Sequence, residues 1–330
     1  MITSPLPSNV SVAAASAIGR PMPLWVRVAA HLIQHQPRGR YRTANWLGRR
    51  SVDPFWGRLP HDLGRLFFQC DLRDHIMREV CFAGCYEPQE TALLKLLLRP
   101  GMTVVDVGAN WGYFSLAAAH LVGSRGRVVS VEADPRACRT LRANVARNGL
   151  DAVVNVLEMA ASDRRSALHL REYAPGASAS GNYGLTSTTT VVDGGRQFEV
   201  PARQLDEALD ESGIDRVDVL KMDIEGAEAL ALRGLERRLS DGRIGAIVLE
   251  VHPQHLLDQG SSVDDVVGRL RFHGYHLWTI DHSPSASRRI GAGKMDVRGA
   301  LAPLTDTTNL GSWPHVLCTL DPRFLQADPC

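Results

Sequence analysis

Residues 103–122 constrain the fold more than any other stretch of this chain. Thr103–Val107 is a short apolar run, Gly108-Ala109-Asn110-Trp111-Gly112 is a turn bounded by glycines, and Tyr113–Val122 reads as an alanine-rich helix. A buried strand that passes through small residues straight into a helix opens a βαβ unit. Such units build a parallel sheet with helices on both faces. The pattern recurs along the chain. Residues 127–131 predict a second strand. Asp134-Pro135 then supplies an N-cap and a first-turn proline, and Ala137, Leu141 and Val145 form the apolar stripe of the next helix. Residues 153–157, 217–222 and 246–251 predict three more strands. Helices are expected over 227–239 and 262–273, the latter with Ser262 and Asp265 at capping-box spacing. Residues 275–280 and 316–320 predict two closing strands, joined by a loop rich in Ser, Arg and Gly and pairing most simply as a hairpin at one sheet edge. The expected class is α/β, mostly parallel, with an antiparallel edge strand.

The flanking sequence is less regular. Residues 1–20, rich in Ser, Pro and Ala, have little to bury and read as disordered. Leu24, Val28 and Leu32 sit at helical spacing and predict a short docking helix, ended by Pro37-Arg38-Gly39. Residues 66–80 mix apolar and charged positions as a β-hairpin does. A helix is expected from Pro88, with Leu93, Leu94 and Leu97 on one face and Pro100-Gly101 as its stop. The stretch 174–200, rich in Gly, Ser and Thr, is long for a simple connection and predicts an inserted hairpin or lid. The domain division expected is a basic extension over 1–65 and a main domain over 66–325.

Composition excludes several function classes. The net charge of +1 gives no overall attraction for nucleic acid, but its distribution is uneven. Before Pro60 there are eight Arg (Arg20, Arg27, Arg38, Arg40, Arg42, Arg49, Arg50 and Arg58), no Lys, and the single acid Asp53. That end suits an anionic partner or a solvated face. The six cysteines form no CxxC pair, which fits reduced core thiols rather than a disulfide scaffold or zinc ribbon. No apolar run approaches the ~20 residues of a membrane span, and the first residues lack a secretory pattern, so a cytoplasmic location is expected.

The turn after the first strand lies where open α/β sheets bind ligands, at the carboxyl ends of the strands. The next strand ends in Glu132, 24 residues after Gly108, near the ~20 expected for an acid on ribose hydroxyls. Two cofactor classes share these features. A dinucleotide favours G-x-G-x-x-G and a helix N-terminus aimed at phosphate. Here Gly108 and Gly112 are separated by three residues, and the carboxylate of Asp106 precedes them. An acid there suits a cationic ligand such as S-adenosylmethionine better than a pyrophosphate.

The run Val105-Asp-Val-Gly-Ala-Asn-Trp-Gly-Tyr-Phe-Ser115 resembles the first motif of the FkbM-type methyltransferases. Lys221-Met-Asp-Ile-Glu-Gly-Ala-Glu228 resembles that family's second signature, K-x-D-x-E-G-x-E. Gly84-Cys-Tyr-Glu87, Leu205-Asp206 and Leu249-Glu-Val-His252 resemble further family positions, so the resemblance runs from about Cys70 to Leu320. It implies a Rossmann-like methyltransferase fold with a seven-stranded sheet, S-adenosylmethionine as cofactor, and methylation of a hydroxyl on a sugar, polyketide or similar small molecule. It implies that Asp106, Gly108, Ala109, Asn110 and Gly112 line the methionine end, Glu132 the ribose, and Ala160 and Ala161 the adenine. Trp111 stands where many relatives carry an aliphatic residue.

Methyl transfer to a neutral alcohol is helped by a proton acceptor, worth roughly 10²–10⁴ in rate. Asp223, Glu225 and His252 are the candidates: each lies at or just past a strand end on the same crevice. Glu228 is explained by its place near a helix start. Asp223, Glu250 and His252 could offer metal ligands, but no tight ligand spacing occurs, and no required metal is expected. Asn182, Tyr183 and His282 are candidate acceptor contacts. The competing readings are a dinucleotide-dependent oxidoreductase and a nucleic-acid methyltransferase. Against the latter, no N/D-P-P-Y/F/W motif is present, and nucleic acid is not expected as a partner.

Overall fold

A computed structural model describes residues 20–36, 39–48, 52–172, 186–187, 197–308, 310–311 and 313–325. Most of the segment read as disordered and most of the 174–200 insertion lie outside these residues, as do Asn182 and Tyr183.

Three sheets are present among the described residues. The first is a hairpin of β1 (Phe55–Arg58) and β2 (Phe67–Cys70). The main sheet contains β3 (Thr103–Val107), β4 (Arg127–Glu132), β5 (Val154–Glu158), β10 (Val217–Met222), β11 (Ile244–Glu250), β12 (His276–Ile280), β13 (Leu301–Pro303) and β14 (His315–Thr319). The third is smaller: β6 (Ala160–Ser162), β7 (Ser166–Glu172), β8 (Thr186–Ser187) and β9 (Gln197–Gln204). In the main sheet the order is β13-β12-β14-β11-β10-β3-β4-β5. The five strands from β11 to β5 run parallel. This is the Rossmann-like, mostly parallel sheet expected.

Successive residues of the central strands are buried on opposite faces, as a sheet covered by helices on both sides requires. Val104, Val128 and Val219 join one apolar cluster with the helix Tyr113–Val122 and the N-terminal helices. Val105, Val129 and Leu220 join the other, with the helices Leu205–Glu211, Glu228–Arg233 and Val263–Phe272. The predicted caps form. Asp134 accepts from Arg136 N, and Ser262 and Asp265 make a reciprocal capping box.

The structure corrects several details. The seven expected strands are joined by an eighth, β13, which pairs antiparallel at the edge. The antiparallel strand β14 lies one place further in than expected, between β11 and β12. The connection from β12 to β14 carries the helix Pro284–Gly291, started by a Ser283 side chain that accepts from Ala286 N. The helix expected over 227–239 is broken into Glu228–Arg233 and Glu236–Ser240. There the Gly234 carbonyl accepts from Asp206 N, and its Cα packs against the Ser162 carbonyl with no room for a Cβ. The hairpin expected over 66–80 is only half strand. β2 pairs back with β1, across the 65/66 division drawn from the sequence, and Asp74 caps a helix over His75–Ala83.

The N-terminal helix Leu24–Gln34 forms, but it docks by the opposite face. Val26, Ala30 and Ile33 are buried, while Leu24, Val28 and Leu32 are 65%, 51% and 62% exposed.

Candidate functional site

The strand order reverses direction between β3 and β10, since β4 lies on one side of β3 and β10, reached much later in the chain, on the other. That is the switch point where α/β sheets open a crevice. A cavity of about 520 Å³ fills it. Gly108, Ala109, Asn110, Trp111, Glu132, Ala160, Ala161, Asp223, Glu225 and His252 all line it. Of the described residues expected there, Asp106, Gly112 and His282 are the exceptions.

The turn is shaped by close approach. Gly108 has φ +84°, and a Cβ there would overlap the carbonyl oxygen of Asp223, just past the end of the neighbouring strand. Asn110 (φ +50°), Glu225 (φ +52°) and Glu87 (φ +40°) also hold left-handed backbone, a costly conformation for non-glycine residues that concentrates at functional sites. The turn's amides are largely committed. Gly108 N and Ala109 N donate to Val131 O, Gly112 N donates to Ala109 O, and Asn110 N donates to Glu132 Oε2 at 2.7 Å. Such a turn has few donors left for a pyrophosphate.

Glu132 accepts at both oxygens, from Asn110 N and from Asp134 N, each at 2.7 Å. Burial pushes its carboxyl up to about 7. Asp106 lies beneath the cavity rather than in its wall. It accepts from Ser115 Oγ at 2.6 Å, which in turn accepts from Ser130 Oγ, so it ties β3 and β4 to the following helix. Its Oδ1 is buried with no hydrogen-bond donor among the described residues. Burial raises its carboxyl, partly offset by Lys221.

Parallel register sets Lys221 beside Asp106, and the next side chain on the same face, Asp223, lies past the strand end. Lys221 Nζ is 3.3 Å from Asp223 Oδ2 and sits over the Phe114 ring. Burial works against its charge, but Asp223, Glu87 and Asp106 outweigh burial and hold it protonated. Burial also opposes the Asp223 carboxylate, yet Lys221, His252 and His315 keep it below its ordinary range.

His252 lies just past β11, and its Nδ1 donates to Glu228 Oε1 at 2.9 Å. Glu228 is fully buried and also accepts from Gly226 N. Around His252 Nε2 lie Glu225 at 3.5 Å, Glu250 at 3.6 Å and Asp223 at 4.0 Å. Burial disfavours the imidazolium, but the Glu228 bond and the Asp223 and Glu225 charges hold His252 at about 9. Burial pushes Glu225 up to about 7, and burial with Asp223 and Glu87 pushes Glu250 well above the usual carboxyl range.

His282 is found elsewhere. It and His315 stack, and both bond Glu90 Oε1, at 2.7 Å and 2.9 Å. Its closest tie to the cavity is indirect, since His315 lies 3.7 Å from Glu250. Ligand atoms of Glu90, His282 and His315, and of Asp223, Glu250 and His252, fall within 4.8 Å of one another. In the first set Glu90 outweighs burial and raises His315, and in the second Lys221 already pairs with Asp223.

Sequence reasoning missed Lys221, Tyr86, Leu168, Leu170 and Trp313 as cavity residues, and it missed Glu228 as the partner of His252. Lys221 and Glu228 stand inside the second signature, where a signal was available. Trp313 comes from a loop, and no local pattern marks it. A second cleft, of about 640 Å³ between the helices Glu228–Arg233 and Val263–Phe272, has charges tied up in surface pairs such as Arg269–Glu236.

Acids outnumber bases around the main cavity. Such an environment fits a cationic cofactor, and the turn's committed amides argue against phosphate. Comparisons with known sequences identify the family. The model of the methyltransferase FkbM domain matches residues 106–277. The chain is 31% identical over 201 residues to the 31-O-demethyl-FK506 methyltransferase FkbM of Streptomyces tacrolimicus, covering 54% of this chain and 74% of that one. It is 28% identical over 210 residues to the AMB antimetabolite synthetase AmbE of Pseudomonas aeruginosa, covering 55% of this chain but 10% of that one. Among solved structures, the O-methyltransferase from Bacillus cereus in complex with SAH aligns with a TM-score of 0.38 at 15% identity, over 71% of this chain and 82% of that one.

Proposed function

The chain belongs to the FkbM methyltransferase family, and from that premise we propose that it methylates a hydroxyl oxygen of a small molecule or glycan. Its methyl donor is S-adenosylmethionine, which supplies an electrophilic methyl group on a sulfonium. The observation that carries the oxygen-acceptor reading is the Glu228–His252 pair, with His252 Nε2 among three carboxyl groups in the cavity wall.

Glu132 would hold the ribose hydroxyls, and the backbone of 108–112 the methionine end, with Ala160 and Ala161 leaving flat space for the adenine. Asp106 supports this wall through Ser115 rather than by direct contact. His252 serves as the base for the acceptor hydroxyl. Glu228 fixes its ring through Nδ1 and leaves Nε2 to take the proton, the orientation logic of carboxylate–histidine pairs. His252 carries a proton up to about pH 9 in the cofactor-free protein. A cation entering the same acid cluster competes with the imidazolium for those charges and lowers its pKa toward neutrality. Asp223, paired to Lys221, stays ionised and positions the site. Leu168, Leu170 and Trp313 at the cavity edge offer apolar surface to the acceptor.

Calorimetry with S-adenosylmethionine tests the cofactor site, and detection of S-adenosylhomocysteine with a panel of sugars and polyketide alcohols tests the acceptor class. Turnover of hydroxyl acceptors is the expected result. Binding of cofactor with turnover only of amines, thiols or nucleic acid would overturn the oxygen assignment.

The Glu132 carboxyl supplies a further expectation. Held at about 7, it ionises as pH rises through neutrality, and only the carboxylate accepts two hydroxyl bonds. Cofactor affinity should therefore strengthen by about tenfold between pH 6 and pH 8. Glu132→Gln should weaken binding and flatten that profile, leaving only the contribution of Glu225, which titrates in the same range. An unchanged profile in the variant would remove Glu132 from the cofactor site.

A further inference from the structure

We propose that the N-terminal helix Leu24–Gln34 is an interfacial anchor that docks this protein on an anionic membrane surface. Two independent observations lead there. The first is structural. Leu24, Val28 and Leu32 recur every fourth residue and form one stripe, with Trp25 beside it at 37% exposure. Scattered apolar residues are ordinary on a surface, but a contiguous stripe on one helix face marks an interaction site. The inward face is occupied: Val26, Ala30 and Ile33 are buried, and the helix packs on His75–Ala83. Trp25 leans on Phe82, and Gln34 donates to the Cys81 carbonyl. The outward stripe is therefore not a frayed core face. It belongs to a helix already fixed by its other side.

The second observation is charge. The helix has no acid, and the chain carries eight Arg and no Lys before Pro60, against the one acid Asp53. Arg27 is exposed on the helix itself, and Arg42 on the next one. The whole chain is close to neutral, so this end is positive against the rest. Apolar side chains flanked by arginine are the chemistry of a helix lying in the headgroup layer. The acyl boundary takes the Leu, Val and Trp, and lipid phosphates take the guanidinium groups. The helix is too short to cross a bilayer. The helix beneath it contributes His75 and Ile76 to the cavity wall, so the anchor stands one helix away from the site.

The test uses the full chain and flotation with vesicles of phosphatidylcholine alone or mixed with phosphatidylglycerol. The protein should float with the anionic vesicles, far less with neutral ones, and progressively less as salt rises. Val28→Glu with Leu32→Glu should reduce flotation at least tenfold, and Arg27→Glu severalfold. Both positions of the double variant are exposed, so its thermal midpoint and its affinity for S-adenosylmethionine should not change. No flotation with any vesicle would overturn the proposal, as would equal flotation of the double variant. So would a dimer of the unmutated chain that the double variant dissolves without vesicle binding, since a second copy would then cover the stripe. Retention of RNA or DNA through the same residues, with no flotation, would assign the surface to nucleic acid instead.

Discussion

His252→Gln is expected to lower turnover by roughly 10²–10⁴ while leaving cofactor affinity within a few-fold. The imidazole is fixed by a fully buried carboxylate on one side and faces the cavity acids on the other. Its proton is held to about pH 9 in the free protein and is released at lower pH once the cofactor cation enters, so kcat/KM for the acceptor should rise with pH to a plateau reached below that value, because the protonated ring cannot accept a proton. The rise should vanish in His252→Gln. Glu228→Gln should keep a rise but move it to lower pH, since the bond that raises the ring's pKa is weakened. Steady-state pH profiles with cofactor saturating distinguish these outcomes. An unaltered profile in His252→Gln would transfer the base role to Asp223 or Glu225.

Gly108→Ala should abolish measurable cofactor binding and destabilise the fold by about 3 kcal/mol, from overpacking and left-handed backbone strain together. The obstacle is a backbone carbonyl, that of Asp223, which cannot rotate away as a side chain would. Relief requires β3 and β10 to part at their carboxyl ends, and that is where the cavity walls meet. Thermal unfolding and calorimetry read the two effects separately. A variant that binds cofactor normally would show that the crevice tolerates separation of these strands.

The strand–turn–helix units were legible because each is local. Thr103–Val107, Tyr113–Val122 and the Asp134 cap are encoded in contiguous residues whose periodicity and capping chemistry need no partner. The glycine-bounded turn after β3 was legible for the same reason, with Glu132 a fixed distance downstream. Errors fell where a choice depended on contacts distant in sequence. Leu24, Val28 and Leu32 and the set Val26, Ala30 and Ile33 are both apolar faces of one helix, and periodicity alone ranks them equally. Which face docks was settled by packing against the helix His75–Ala83. The break at Gly234 likewise depends on Asp206 and Ser162, neither of them near in sequence.

The residues at 103–112, with Glu132 and the signature at 221–228, determined by themselves that this chain builds a parallel sheet with a ligand crevice suited to a cationic cofactor. Strand formation, turn geometry and the placing of acids at strand ends are short-range consequences of residue type. Tertiary structure decided how those acids divide their work. Asp106 and Asp223 are both acids at the ends of adjacent strands, yet one is sealed beneath the cavity by Ser115 and the other lines it beside Lys221. Glu228 reads as a helix-start acid until the fold brings His252 from 24 residues away onto its carboxylate. Burial and partner geometry are properties of packing, and they set which group is charged, which is oriented and which meets the ligand.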